Sequence, residues 1–87
     1  MLEEHLGKPV VVDLGSHYVC LGILERIDAL HLELRDADLH DLCDTGTSRE
    51  NYVAAAVATG IKRNRKRVLL ARAEVVAVSR QEDVVDE

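Results

Sequence analysis

Residues 22–38 read GILERIDALHLELRDAD, and the fold turns on this stretch. Apolar residues alternate with polar ones up to Ile27, the pattern breaks at Asp28, and alternation resumes through Leu30, Leu32 and Leu34. Alternation with a period of two puts one face of a strand on a core. Two such runs meeting at an acidic residue predict a pair of strands in a small twisted sheet. Gly22 lies inside the first run, where a residue without a Cβ permits the sharp bend of a barrel corner.

Other strands extend the pattern outward. Val10 to Leu14 reads as a first strand after a helical turn at Leu2–Leu6 that Gly7 and Pro9 bring to a stop. Gly15-Ser16 is a turn, Tyr18 to Ile27 a long second strand, and Leu30 to Leu39 a third. After the loop-like HDLCDTGT at 40–47 comes an Ala-rich helical segment, about 48–60. Thr47 and Glu50 fit a capping box, Val53, Ala56, Val57 and Ile61 form a stripe at helical spacing, and Gly60 closes the helix. Val68 to Ala71 and Glu74 to Ser79 are two short strands around Arg72-Ala73, and the acidic tail 81–87 is expected to fray.

The 87 residues allow one domain, 1–80, with a thin core, so assembly would help to stabilise it. The 47% of hydrophobic residues are mostly Val, Leu, Ala and Ile, with only Tyr18 and Tyr52 as aromatics. This composition suits strands and leaves little surface for stacking bases. No apolar run approaches a membrane span, and the acidic start lacks a signal peptide's order, so a cytoplasmic protein without membrane contact is expected. Cys20 and Cys43 read as a buried thiol and a loop thiol.

The net charge of −5 is unevenly spread. Residues 1–44 carry three basic against ten acidic side chains, residues 45–80 eight against two, and residues 81–87 none against four. Five of the six residues at 62–67 are cationic: Lys62, Arg63, Arg65, Lys66 and Arg67. Such a run binds phosphates through charge and counterion release. It equally serves as a solvated connection, or as a partner for the acidic half of a neighbouring subunit. His40 and Cys43 lack a second pair at zinc spacing, and no phosphate loop, nucleophile elbow or cofactor motif is present, so neither a metal, a cofactor nor catalysis is expected.

Gly22, Leu24, Asp28, Leu32, Leu34 and Asp36 are spaced as in the first signature of the Sm and Sm-like (LSm) proteins, which this chain resembles. Leu70-Ala71-Arg72-Ala73 followed by an apolar strand resembles the second, with Ala73 where the family has Gly. The resemblance implies a strongly bent, five-stranded antiparallel barrel with a short N-terminal helix and, here, an inserted helix between strands three and four. It also implies a ring of six or seven identical subunits that binds single-stranded RNA in its pore, in RNA metabolism or as an RNA chaperone. Carried over by position, the pore candidates are Asp28, Leu30, His31 and Arg72. His31 stands where the family has an Asn that reads the base, and Leu30 or Ala29 where it has a stacking residue. Each candidate also has a simpler reading: Asp28 fixing a tight connection, His31 as a strand residue at a loop edge, Arg72 as an exposed turn residue. The alternative function is a structural oligomer that kept the ring and lost the RNA pocket.

Overall fold

The computed structural model describes residues 1–44 and 48–85. Five antiparallel strands form one sheet: β1 (Pro9–Leu14), β2 (Tyr18–Ile27), β3 (His31–Asp41), β4 (Arg65–Ala71) and β5 (Val75–Arg80). Their order is β4-β3-β2-β1-β5, which leaves the last two strands of the chain at the two edges. A helix α1 (Arg49–Thr59) lies between β3 and β4, and a 3-10 turn at Leu2–His5 precedes β1. No helix among the described residues is long and apolar enough to cross a membrane.

Alternation along β1 sends Val10, Val12 and Leu14 to one side of the sheet and Val11 to the other. The first side holds the larger core, where Cys20, Leu24, Leu32, Leu34, Ala37 and Leu70 join them. In a flat five-stranded sheet the edge strands would stand about 19 Å apart at the usual strand spacing. Instead Val68 and Leu70 of β4 pack into the same cluster as Val75 and Val78 of β5, so the sheet curls around this core. Leu2 packs against it from the N-terminal turn. Burial pushes the Cys20 thiol up to about 12, as suits a thiol used for packing.

The bend is built at Gly22. A Cβ there would lie 3.0 Å from the Arg35 carbonyl oxygen and 3.1 Å from the Cα and Cβ of Ala37, so β3 crosses where a side chain would stand. Opposite it the register slips, and Asp36 takes φ of 50°, a left-handed conformation that an Asp tolerates better than most residues. A second slip falls between Leu24 and Arg26. Two bulges within a few residues turn β2 and β3 sharply across the core.

Helix α1 covers the other face. Val53 is buried against Val11, Val19 and Leu21, with Tyr52, Ala56, Val57 and Ile61 packed around it, so the stripe expected from the sequence seats on the chain's own sheet. Ser48 caps the helix, its Oγ accepting from the Asn51 amide at 3.2 Å. The expected cap, Thr47, lies outside the described residues. Gly60 ends the helix with φ of 96°.

Three boundaries differ from expectation, the first being the end of β3, which runs through His40 and Asp41 of the expected loop and is followed by a 3-10 turn at Leu42–Asp44. Strand β4 begins at Arg65, so Arg65, Lys66 and Arg67 belong to the sheet, where Arg65 and Arg67 pair with Ala37 and Arg35 of β3. The start of the acidic tail is docked: Gln81 Nε2 donates to the Val10 carbonyl at 3.1 Å, residues Gln81–Asp83 form a 3-10 turn, and Val84 packs against the second cluster.

Candidate nucleic-acid interface

The connection between β2 and β3 is three residues long, and Asp28 fixes it. Its amide donates to the His31 carbonyl at 3.0 Å. Its Oδ1 accepts from the amides of Leu30 at 2.8 Å and His31 at 2.6 Å. A carboxylate receiving two backbone N–H groups is stabilised in its charged form. These bonds, with a smaller contribution from the His31 ring, hold the Asp28 carboxyl below its ordinary 3.8. Leu30 is consequently turned outward and is 70% exposed.

Arg72 opens the 3-10 turn Arg72–Glu74 that joins the two edge strands. Its amide donates to the Leu30 carbonyl and its Nη1 to the Asp28 carbonyl, both at 2.8 Å. The turn after β4 is thereby bound to the turn after β2. All four residues expected at the pore stand together at one end of the sheet. His31 opens β3 and is partly exposed, its Nδ1 3.4 Å from Asp28 Oδ1.

Beside this pair of turns lies a hollow of about 170 Å³ lined by Arg26, Ile27, Asp28, His31, Glu33 and Leu69. Arg72 and Leu30 are outside that lining; Arg72 holds the loop, and Leu30 projects from it. Glu33 accepts from Arg26 at 3.0 Å and from Arg67 at 2.9 Å, so cations from both neighbouring strands converge on one carboxylate.

The basic run is divided by its partners. Arg63 bonds Asp36 Oδ1 at 2.5 Å, which together with Arg35 holds the Asp36 carboxyl below its ordinary range. Arg35 also bonds Glu25 at 2.7 Å. Arg67 is held by Glu33. Among the described residues the Arg65 side chain donates to the neighbouring Asn64 carbonyl and pairs with no carboxylate, and Lys62 and Lys66 make no ion pair. Of the five phosphate candidates, then, Lys62, Arg65 and Lys66 have no carboxylate partner within the described chain. The Arg63–Asp36 pair is largely open to solvent, whereas the Glu33 side chain that holds Arg67 is only 12% exposed.

Two residues that sequence reasoning passed over organise this region. Asp38 is buried, 6% exposed, and its two oxygens accept separately from the Tyr52 hydroxyl of α1 and from Asn64 Nδ2 at 3.0 Å. Asn64 sits within the basic run, the one uncharged residue of 62–67. Its side chain exchanges bonds with the Leu39 amide and carbonyl, each at 3.0 Å, continuing the β3–β4 ladder where strand pairing stops. An acid at a core-facing step of a strand, and a polar amide breaking a run of cations, were the available signals. The His40 ring stacks on Tyr52 with centroids 3.9 Å apart.

Compared with protein-family models and with curated proteins, the chain matches none of them.

Proposed function

We propose that the chain is an Sm-like protein that assembles as a ring of six or seven copies and binds single-stranded RNA at the paired turns, in RNA metabolism or as an RNA chaperone. The observation that carries this reading is the pair of hydrogen bonds that Arg72 donates to the 28–30 connection, which gathers Asp28, Leu30, His31 and Arg72 on one rim. The curled sheet supports it as well. Its edges are β4 and β5, which present Leu69 and Val76 at 60% and 68% exposure, and edges of that kind invite pairing with another chain. Joining β4 of one subunit to β5 of the next removes both edges when the ring closes.

Arg26 and Arg67 take up both oxygens of Glu33, and Asp28 Oδ1 is held by the turn, so among the described residues the hollow keeps the second oxygen of Asp28 as an acceptor and its one guanidinium, Arg26, is already paired. The hollow therefore suits the N–H groups of a base edge better than a phosphate, while Lys62, Arg65 and Lys66 remain available for the backbone. Light scattering should give six or seven times the 9.6 kDa chain mass. Fluorescence anisotropy with short oligo-U and oligo-A at two salt concentrations tests the binding. A monodisperse monomer overturns the ring, and no binding at low salt overturns the RNA reading.

The internal pairing of Arg63 and Arg67 favours a second reading, in which the ring is structural and the cations serve the fold. Purified protein without co-purifying nucleic acid, read as the ratio of absorbance at 260 and 280 nm, together with absent binding, would establish it.

A further inference from the structure

The geometry points to the inserted helix as a control on the edge strand β4, exerted through the shared carboxylate of Asp38. Tyr52 of α1 occupies one oxygen of that carboxylate and Asn64 the other. Asn64 immediately precedes β4, and its amide nitrogen also donates to the Ala37 carbonyl at 2.8 Å. Three elements therefore meet at one buried acid: the helix, the middle of β3 and the first residue before the edge strand.

A carboxylate anchored at one oxygen has its plane fixed, and its second oxygen is then presented to Asn64 in a single direction. Stacking of His40 on Tyr52 holds the phenol in place, so the hydroxyl is pre-set toward Asp38. Without the hydroxyl, a buried acceptor loses a partner and the carboxylate is free to turn. The bonds most exposed to that loss are those of Asn64, which set where β4 begins and hence how far the edge ladder extends. Edge strands belong to the less stable part of a sheet, and the β4 ladder begins at the Arg65–Ala37 pair beside this acid. On the ring reading proposed above, this edge receives the next subunit, so the helix becomes a determinant of assembly even though it packs on its own sheet.

Tyr52→Phe tests the coupling with little risk to folding, since it keeps the stacked ring and its apolar packing in the second cluster. Hydrogen exchange followed by mass spectrometry should report amides of residues 64–68 opening about tenfold faster than in the wild type, with the β1–β2 pair unchanged. Asn64→Ala should loosen the same residues from the other side of the carboxylate. Unchanged protection of 64–68 in both variants overturns the coupling. An equal rise across β1 and β2 also overturns it, since that is general destabilisation. The assembly consequence is read separately: in Tyr52→Phe the concentration at which the oligomer half-dissociates should rise about tenfold. An unchanged midpoint refutes that consequence, whereas a wild type that is monomeric at every concentration refutes the ring and leaves the exchange result to decide the coupling.

Discussion

Gly22→Ala is the sharpest test of how the sheet is bent. The added methyl carbon would meet the Arg35 carbonyl oxygen at 3.0 Å and the Cα and Cβ of Ala37 at 3.1 Å. These are backbone atoms and a side chain one carbon long, in a strand paired on both sides, so no flexible side-chain end can move aside. Forcing an extra methyl into such a site costs about 1–3 kcal/mol. Ala ordinarily gains about 0.4–1 kcal/mol over Gly by restricting the unfolded chain, which reduces the net loss without reversing it. For a domain of this size each kcal/mol shifts Tm by about 4–8 °C, so the central net loss of about 1.3 kcal/mol corresponds to an expected fall of roughly 5–10 °C. Gly15→Ala is the control, because its nearest contacts, 3.6 Å to the Glu74 carbonyl oxygen and 3.7 Å to its carboxylate, are ordinary. It should leave Tm unchanged or slightly raised. Both variants should be melted by circular dichroism at one protein concentration, since assembly makes Tm depend on concentration. A Gly22→Ala protein as stable as Gly15→Ala would refute the close crossing of β2 and β3.

Val53→Asp puts an unpaired carboxylate in the second cluster and should cost at least about 3 kcal/mol, whereas Ala55→Asp on the exposed side of α1 should cost about 0.6 kcal/mol through helix propensity; thermal melts of the two compare them directly. The Asp28 carboxyl, depressed by its two backbone bonds, contributes stability that is complete above its ordinary value of 3.8 and is lost as pH falls through the lower folded-state pKa. Carbon-detected NMR should place its titration below that value in the wild type, and a midpoint at or above it would contradict the described turn. Changing Lys62, Arg65 and Lys66 together to Gln should remove most of the salt dependence of RNA binding. Three released counterions per subunit correspond to a slope of about −2 in log K against log salt. A slope unaltered by the triple change would place the phosphates elsewhere.

Much of the architecture is legible in the sequence because it rests on local patterns. Strand β2 is found by alternation, its bend by Gly22 and the helix by the Val53–Ile61 stripe. Asp28, Leu30, His31 and Arg72 are singled out in the sequence by their places in a signature, and bonds between the two turns bring them to one end of the sheet. What escaped reading depends on partners distant in the chain. Arg63 and Arg67 look solvated in sequence because Asp36 and Glu33 lie 27 and 34 residues away. Membership of β4 likewise follows from its ladder to β3, which local propensity cannot supply for three consecutive cations. The bulge at Asp36 needs a left-handed backbone, and with an Asp rather than a Gly there no local pattern marks it. The clasp at Asp38 joins residues from three elements, so none of them is conspicuous alone.

The division of charge along the chain bears on how RNA would be recognised. An acidic first half and a basic second half suggest two opposed surfaces, yet strand pairing places them side by side, and β3 neutralises part of β4. Asp36 and Glu33 compete with any phosphate for Arg63 and Arg67, because a guanidinium already bonded to a carboxylate must exchange one charge-assisted bond for another. Such an exchange is close to neutral and contributes little affinity. The net attraction then falls to Lys62, Arg65 and Lys66, a small positive field on a chain of charge −5, and non-specific binding should be weak. Affinity would have to come from the rim, where Leu30 offers apolar surface and His31 and Asp28 offer hydrogen-bonding edges. On this account a ligand chosen by its bases is favoured over one chosen by its charge. In the ring proposed above, subunit multiplicity would strengthen the same preference, since several copies of the paired turns engaged by one strand would raise avidity without any further cation.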